Sequence, residues 1–286
     1  MKDKKHKRKL NKKRAIVATS AMVTSLILIV ALTIAGFQVM NSQNNPVVLC
    51  NREQHHNEVI ENNPCLSKDE ITALNQSGKT DKRIAFLTFD DGPSSKTSEL
   101  LAILDKYNVN GNFFLIGNNI DGNEEVVKAI AAQGSKVFVH STTHNYTDIY
   151  ANVDAFRNDI TATVTKIKQL GISSPYMYRF PGGSNTSYID SKQFTAFQQI
   201  VHEIGMEYVD WNVDSGDASG TSPDAKTIVA NVMAQIQNKN YVNILMHDAA
   251  DKAATRAALP EIIEALRANG FIICKLPRGI AIPQFN

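Results

Sequence analysis

The sequence predicts an α/β protein built as a barrel of parallel strands, closed or incomplete, with a doubly wound open sheet as the second choice. Three observations lead there. From Lys82 onward, short apolar runs alternate with longer helix-like segments, the pattern of successive βα units around a parallel sheet. Seven such runs fit between residues 82 and 286, enough strands and chain for one barrel domain. The polar residues that look reactive fall directly after the strands, where a βα barrel carries its active site.

In chain order, the strand candidates are RIAFLTF (83–89), NFFLIG (112–117), KVFVH (136–140), YMYRF (176–180), MEYVDWNV (206–213), VNILMH (242–247) and FIICKL (271–276). The helix candidates between them lie near 95–107, 123–133, 152–170, 190–204, 224–238 and 253–269. No repeat or low-complexity segment interrupts this region.

Ahead of residue 82 the composition changes twice. Residues 1–14 hold nine Lys/Arg and one Asp, a local charge of +8, while the whole chain of 286 residues carries only +2. Residues 15–40 contain no charged side chain. At about 1.5 Å of rise per residue, such a run crosses a bilayer with some tilt. It also outlasts the roughly 7–15 apolar residues of a signal-peptide core. It reads as a single-pass transmembrane helix in contact with the lipid bilayer. The basic tail stays in the cytoplasm by the positive-inside rule, and everything after the span lies outside the cell membrane. Residues 41–81 are polar and Asn-rich and read as an extracellular stalk. Cys50 and Cys65 both lie in it and can pair there, whereas Cys274 reads as a buried strand residue. Residues 15–286 hold 21 basic and 27 acidic residues, so there is no basic footprint for nucleic acid. A hydrophobic content of 43% excludes a disordered chain.

Strand one runs into Asp90-Asp91-Gly92-Pro93. Adjacent carboxylates need a neutralising partner, which a metal supplies, although the same string is also an ordinary turn. Strand three leads into His140-Ser141-Thr142-Thr143-His144. Two imidazoles with the Asp91 carboxylate leave coordination positions open for water, as catalytic metal sites require. Strand four ends in Arg179-Phe180-Pro181-Gly182-Gly183, an Arg at the barrel mouth that calls for an acid. Strand five supplies Asp210, Trp211, Asp214 and Asp217, and strand six supplies Leu245-Met246-His247-Asp248. A lone His after a strand is more often structural, but this one joins five other polar features on one expected face.

Taken in order, TFDDGP at 88–93, HSTTH at 140–144, RFPGG at 179–183, DSGD at 214–217 and LMH at 245–247 resemble the motifs of the polysaccharide deacetylase family with the NodB homology domain, carbohydrate esterase family 4. The resemblance covers nearly all of the outer domain, residues 82–286, and none of the stalk. It implies a distorted (β/α) barrel and a divalent metal, zinc first, with Co²⁺, Ni²⁺ or Mn²⁺ as alternatives. It implies hydrolysis of an acetyl group from a sugar polymer. Asp91, His140 and His144 match the metal ligands, Asp90 the general base, and Arg179 the residue that orients the base. His247 matches the general acid, Asp217 the carboxylate that holds it, and Leu245 an apolar position of the acetyl pocket. A backbone N–H near Gly182 matches part of an oxyanion hole.

Three positions depart from the family pattern. Phe138-Val139 stand where Gly-Asn is usual, and Gly182 and Ala218 stand where aromatics are usual. The groove wall is therefore expected to be open, with reduced stacking on sugar rings unless other aromatics such as Tyr146 or Tyr188 compensate. An anchored, outward-facing domain reaches the cell wall, so peptidoglycan is the first expected polymer. Chitin-type chains, poly-N-acetylglucosamine and O-acetylated sugars come next. An inactive wall-binding relative would have lost ligands, and all of them are present. A metal phosphoesterase would offer more ligands or phosphate-binding bases. The oligomeric state is not legible.

The +8 tail and the uncharged span set the expected topology. Protease added to intact cells should remove the domain after residue 41 and spare the N-terminus; a soluble mature product starting near the stalk would mean a cleaved signal instead.

Overall fold

The computed structural model describes residues 65–220 and 222–286. The basic tail, the 15–40 span, Cys50 and most of the expected stalk lie outside the described residues. Among the described residues, no helix is long and apolar enough to cross a membrane.

Eight strands form one parallel sheet: β1 (Ile84–Asp90), β2 (Asn112–Ile116), β3 (Lys136–Ser141), β4 (Met177–Tyr178), β5 (Glu207–Tyr208), β6 (Val213–Asp214), β7 (Tyr241–His247) and β8 (Ile272–Cys274). Their order is β5-β4-β3-β2-β1-β7-β6, and β8 pairs with Ile84–Phe86 of β1 while β2 takes Thr88–Asp90. The sheet curls into a half-barrel wrapped by helices, which settles the choice against an open doubly wound sheet. The predicted single strand at 206–213 is instead two short ones. They stand at opposite ends of the strand order and are joined only by residues 209–212. Polar Asp210 and Asn212 interrupt that run: the Asp210 carboxylate accepts from Ser184 N and Oγ, and Asn212 Nδ2 donates to Tyr241 O while its Oδ1 accepts from Asn243 N.

The helices are α1 (Lys68–Ser77), α2 (Thr97–Lys106), α3 (Gly117–Ile120), α4 (Glu124–Ala132), α5 (Tyr146–Ile149), α6 (Val153–Gln169), α7 (Ser191–Glu203), α8 (Ala225–Ile236) and α9 (Ala253–Ala268). All six predicted helices are present with ends shifted by a few residues. Asn152, Asp190 and Asp224 cap α6, α7 and α8 with their side chains, each satisfying first-turn N–H groups.

Side-chain alternation sorts the strands into two faces. Ala85, Leu87 and Phe89 of β1, with Val137, Val139, Val242, Ile244 and Met246, pack outward against the helices. Ile84, Phe86, Phe114, Phe138, Met177 and Tyr241 fill the barrel interior. The same period of two aims Thr88 and Asp90 of β1, His140 of β3, Arg179 after β4, and Asn243, Leu245 and His247 of β7 inward, above that apolar layer.

The expected stalk ends earlier than residue 81. Ser67 and Glu70 form a reciprocal capping box that starts α1. Leu66 and Leu74 are buried in the interior cluster with Ile84, Phe86 and Cys274. Asn75 holds α1 in place, donating to Gly279 O at 2.7 Å and accepting from Ala281 N at 3.0 Å. The helix therefore plugs the lower end of the barrel. The expected Cys50–Cys65 pairing is also corrected, because Cys65 is bonded to Cys274, 209 residues away in sequence. Sequence proximity favoured Cys50; the packing of Leu66 and Leu74 carries Cys65 to β8 instead.

A bridge closing 209 residues removes denatured-state entropy worth about 5 kcal/mol in the chain-entropy treatment. Cys65→Ser should lower the urea midpoint correspondingly, and an unchanged midpoint would remove the bridge from the stability account.

Candidate active site

Asp90 is the last residue of β1 and faces the barrel interior, where it is buried. The next residue in a regular strand would face outward. Asp91 avoids this by adopting a left-handed backbone, φ 70°, so both neighbours turn toward the mouth. His144 is also left-handed, φ 57°. Such conformations cost of order 1–3 kcal/mol in non-glycine residues and persist where surroundings impose them. Here Asn119 Nδ2 donates to Asp91 O at 2.9 Å. His144 N donates to Ser141 Oγ at 2.8 Å.

Asp91 Oδ1 lies 3.5 Å from His140 Nε2 and 3.3 Å from His144 Nε2. The three donor atoms lie within 4.8 Å of one another, a group that could hold a metal ion. Two further observations test the fit. Asp91 Oδ1 is buried without a hydrogen-bond partner, a cost that a cation removes. His140 Nδ1 lies 2.8 Å from Arg179 O; a carbonyl only accepts, so Nδ1 carries the proton and Nε2 presents its lone pair to the cluster. Burial also drives the His140 imidazole down to about 3, keeping it neutral. The donor set therefore suits a divalent ion with open coordination positions.

Asp90 is held from the other side. Arg179 Nη1 donates to Asp90 Oδ1 at 2.9 Å and to Thr88 Oγ1 at 2.7 Å. Its Nε donates to Val209 O at 3.1 Å, and Nη2 donates to Asp210 O at 3.0 Å and Asn243 Oδ1 at 3.2 Å. All five guanidinium donors are thus used, and the side chain is fully buried against the Phe114 ring, 4.2 Å from its centroid. Burial raises the Asp90 pKa even with Arg179 opposing it.

Across the mouth, His247 Nδ1 lies 2.7 Å from Asp217 Oδ1. Asp217 Oδ2 accepts from His247 N and Thr255 Oγ1, each at 2.8 Å. Burial pushes the Asp217 carboxyl up, but its bonds from His247 and Thr255 overcome this and hold it below its usual value. Burial opposes the charged His247, yet Asp217 lifts the imidazole to about 8. Leu245 lies two residues below His247 on the same inward face, in register with Thr88 and nearly buried.

The expected open wall at Gly182 is closed by another residue. A Cβ on Gly182 would meet Tyr146 Cε2 and OH at 3.3 Å, so the Tyr146 ring stands where a side chain at 182 would project. Ala218 is exposed.

Several supporting residues were given no role from sequence. Asp159 on α6 accepts from Thr142 N at 2.9 Å and Thr143 N at 3.3 Å, bracing the loop that carries His144. Asp248 N donates to Asp90 O at 2.8 Å, and its carboxyl accepts from Thr97 Oγ1 at 2.5 Å. A Cβ on Gly92 would lie 2.6 Å from Asp248 Oδ2, so only glycine fits that turn. Thr88 and Asn243 carried a readable signal: each is a polar residue inside an apolar strand, in phase with Asp90 or His247. Asp159 carried none, being one acid on an amphipathic helix.

Residues 77–209 match the family pattern described as polysaccharide deacetylase. A peptidoglycan-N-acetylglucosamine deacetylase of Bacillus cereus is 30% identical over 254 residues, covering 87% of this chain and 89% of that protein. The catalytic domain of a peptidoglycan N-acetylglucosamine deacetylase from Eubacterium rectale superposes with a TM-score of 0.64 at 34% identity, covering 73% of this chain and 96% of that one. A CE4 esterase of Streptococcus mutans gives 0.66 at 25% identity over 76% of this chain and 94% of that one.

The His247–Asp217 pair makes a pH prediction. A pKa raised from 6.5 to about 8 gives His247 a stabilising contribution that is full below pH 6.5 and lost as pH rises through 8. In Asp217→Asn, the imidazole resonances should titrate at or below 6.5 rather than near 8; an unmoved midpoint would remove Asp217 as the cause.

Proposed function

Because the chain belongs to the polysaccharide deacetylase family, we propose that it hydrolyses the acetamide of N-acetylglucosamine residues in a cell-wall polysaccharide, peptidoglycan first. One observation carries the reading. The Asp91–His140–His144 cluster is flanked by a carboxylate clamped to a buried Arg on one side and by an imidazole paired with a carboxylate on the other. The relatives named for peptidoglycan N-acetylglucosamine support the choice of polymer.

Asp91, His140 and His144 would hold the metal, and two imidazoles with one carboxylate favour zinc. When bound, such an ion polarises the acetyl carbonyl and lowers the pKa of water. Asp90 takes a proton from the attacking water; its raised pKa makes it a stronger base than a solvated carboxylate. Arg179 keeps Asp90 from rotating away from that proton. Asp217 fixes the His247 tautomer and orientation, leaving Nε2 to protonate the departing amine. Leu245 offers an apolar surface to the acetyl methyl, and a backbone N–H near Gly182 serves the developing oxyanion. The sugar keeps a free amine, and acetate leaves with the oxygen of water.

The domain acts outside the cell, tethered by residues 15–40. A disulfide within the catalytic domain supports an oxidising compartment.

The decisive substitutions are adjacent. Asp91→Ala should lose metal and activity together. Asp90→Asn should keep metal and fold while acetate release from purified peptidoglycan drops by roughly 10²-fold or more. A fully active Asp90→Asn, or normal metal content in Asp91→Ala, overturns the assignment. Release from chitin oligomers alone would move the substrate away from peptidoglycan.

A further inference from the structure

Four large hydrophobic side chains are exposed among the described residues: Val153, Tyr188, Ile272 and Phe285. The two aromatic ones, 54% and 39% exposed, both stand beside the Gly182–Gly183 turn. Each is supported by a second ring that leads to a site residue. Tyr188 meets Tyr146 edge-on at 5.0 Å, and Tyr146 lies 5.3 Å from the His144 ring. Phe285 meets Trp211 edge-on at 5.0 Å, and Trp211 lies 5.9 Å from the Arg179 guanidinium. The turn itself lies between them. A Cβ on Gly182 would meet Tyr146 at 3.3 Å, whereas one on Gly183 would meet Trp211 at 3.1 Å and Phe285 at 3.2 Å.

Neither ring is a loose surface residue. Phe285 N donates to the buried Asp210 carboxylate at 2.8 Å, Gln284 Nε2 to Tyr208 O at 2.9 Å, and Asn286 Nδ2 to Ser184 O at 2.6 Å. That tail is pinned along the same loop. Tyr188 is backed by the half-buried Tyr146. Rigid, solvent-facing aromatic rings held next to a reaction centre present flat apolar faces with a wet edge, and exposed apolar surface in such a place marks a binding site. The matching ligand face is that of a pyranose, apolar across its axial C–H groups and polar around its rim.

We propose that Tyr188 and Phe285 are two sugar-stacking platforms flanking the Gly182–Gly183 turn, and that they hold pyranose rings of the polymer next to the residue being deacetylated. This rests on the deacetylase reading. It means that the aromatic absent from position 182 is replaced by rings from other segments, so stacking there is relocated rather than lost.

The test compares β-1,4-linked hexamers and dimers of N-acetylglucosamine on the metal-loaded full chain. Tyr188→Ala and Phe285→Ala should each raise KM for the hexamer by about 3- to 10-fold, the scale of one aromatic contact. Turnover number and dimer kinetics should stay within about twofold, and Tyr188→Trp should restore the hexamer KM. A merely structural role would depress dimer and hexamer turnover alike and is overturning, as is an unchanged hexamer KM in both Ala variants. If the wild type released no acetate from either oligomer, the deacetylase reading would fail on this substrate. Calorimetric titration with the hexamer then decides the platforms. Weaker binding in the Ala variants upholds them; equal binding, or none to the wild type, overturns them.

Discussion

The buried guanidinium of Arg179 is the constraint around which the barrel is organised. The strand order ends at β5 and β6, which are joined by residues 209–212 and share no ladder. Arg179 spans that seam, bonding the carbonyls of Val209 and Asp210, the side chain of Asn243 on β7, and Thr88 and Asp90 on β1. A fully buried charge is tolerable only when its donors are all used and a counter-charge is near. Asp90 provides the counter-charge, so the carboxylate assigned to proton transfer also makes the Arg affordable. Barrel closure and base orientation thus share one side chain. The Arg179 carbonyl, in turn, sets the tautomer of His140.

The remaining site geometry follows from a period of two. Inward positions on β1 and β7, with Phe138 and His140 on β3, run from apolar low in the barrel to polar at the top, with Leu245 the apolar exception beside His247. The chemistry therefore sits on a packed floor of Phe86, Phe114, Phe138 and Tyr241. Only Asp91 and His144 depart from the strand pattern, and both do so through left-handed backbone. The network beneath His144, from Ser141 to Asp159, imposes that conformation on the ligand before any ion arrives.

Much of this was legible in the sequence because hydrophobic alternation and strand-end polarity are local signals. The six predicted helices and the strands that carry or lead into Asp90, His140, Arg179 and His247 lay where the patterns put them. What was missed depends on distance in the fold. α1 offers mainly Ile71, Ala73 and Leu74 among ten residues, too little apolar periodicity to mark a helix that packs through Leu74. Cys65 could be matched to Cys274 only by knowing that β8 lies beside the lower half of β1. The split of 206–213 into β5 and β6 reflects Asp210 and Asn212, whose partners are Arg179 and Ser184 after β4, Tyr241 and Asn243 of β7, and Phe285 of the C-terminal segment. Tyr146 could be named from sequence only as one aromatic able to compensate for Gly182; that its ring fills that space depends on two segments meeting in the fold.

The Cys65–Cys274 bridge has a mechanical consequence. A pull entering the domain at residue 65 has two routes to the sheet. One runs through α1 and the turn that follows it, which would peel the plug from the barrel floor. The other crosses the sulfur atoms directly into β8, which is paired along Ile84–Phe86 of β1. The covalent route is shorter and stiffer, so tension bypasses α1 and is shared by shear across parallel strands. Were the domain tethered as proposed, its lower end would stay sealed under load, with the mouth at the far end of the strands left undistorted.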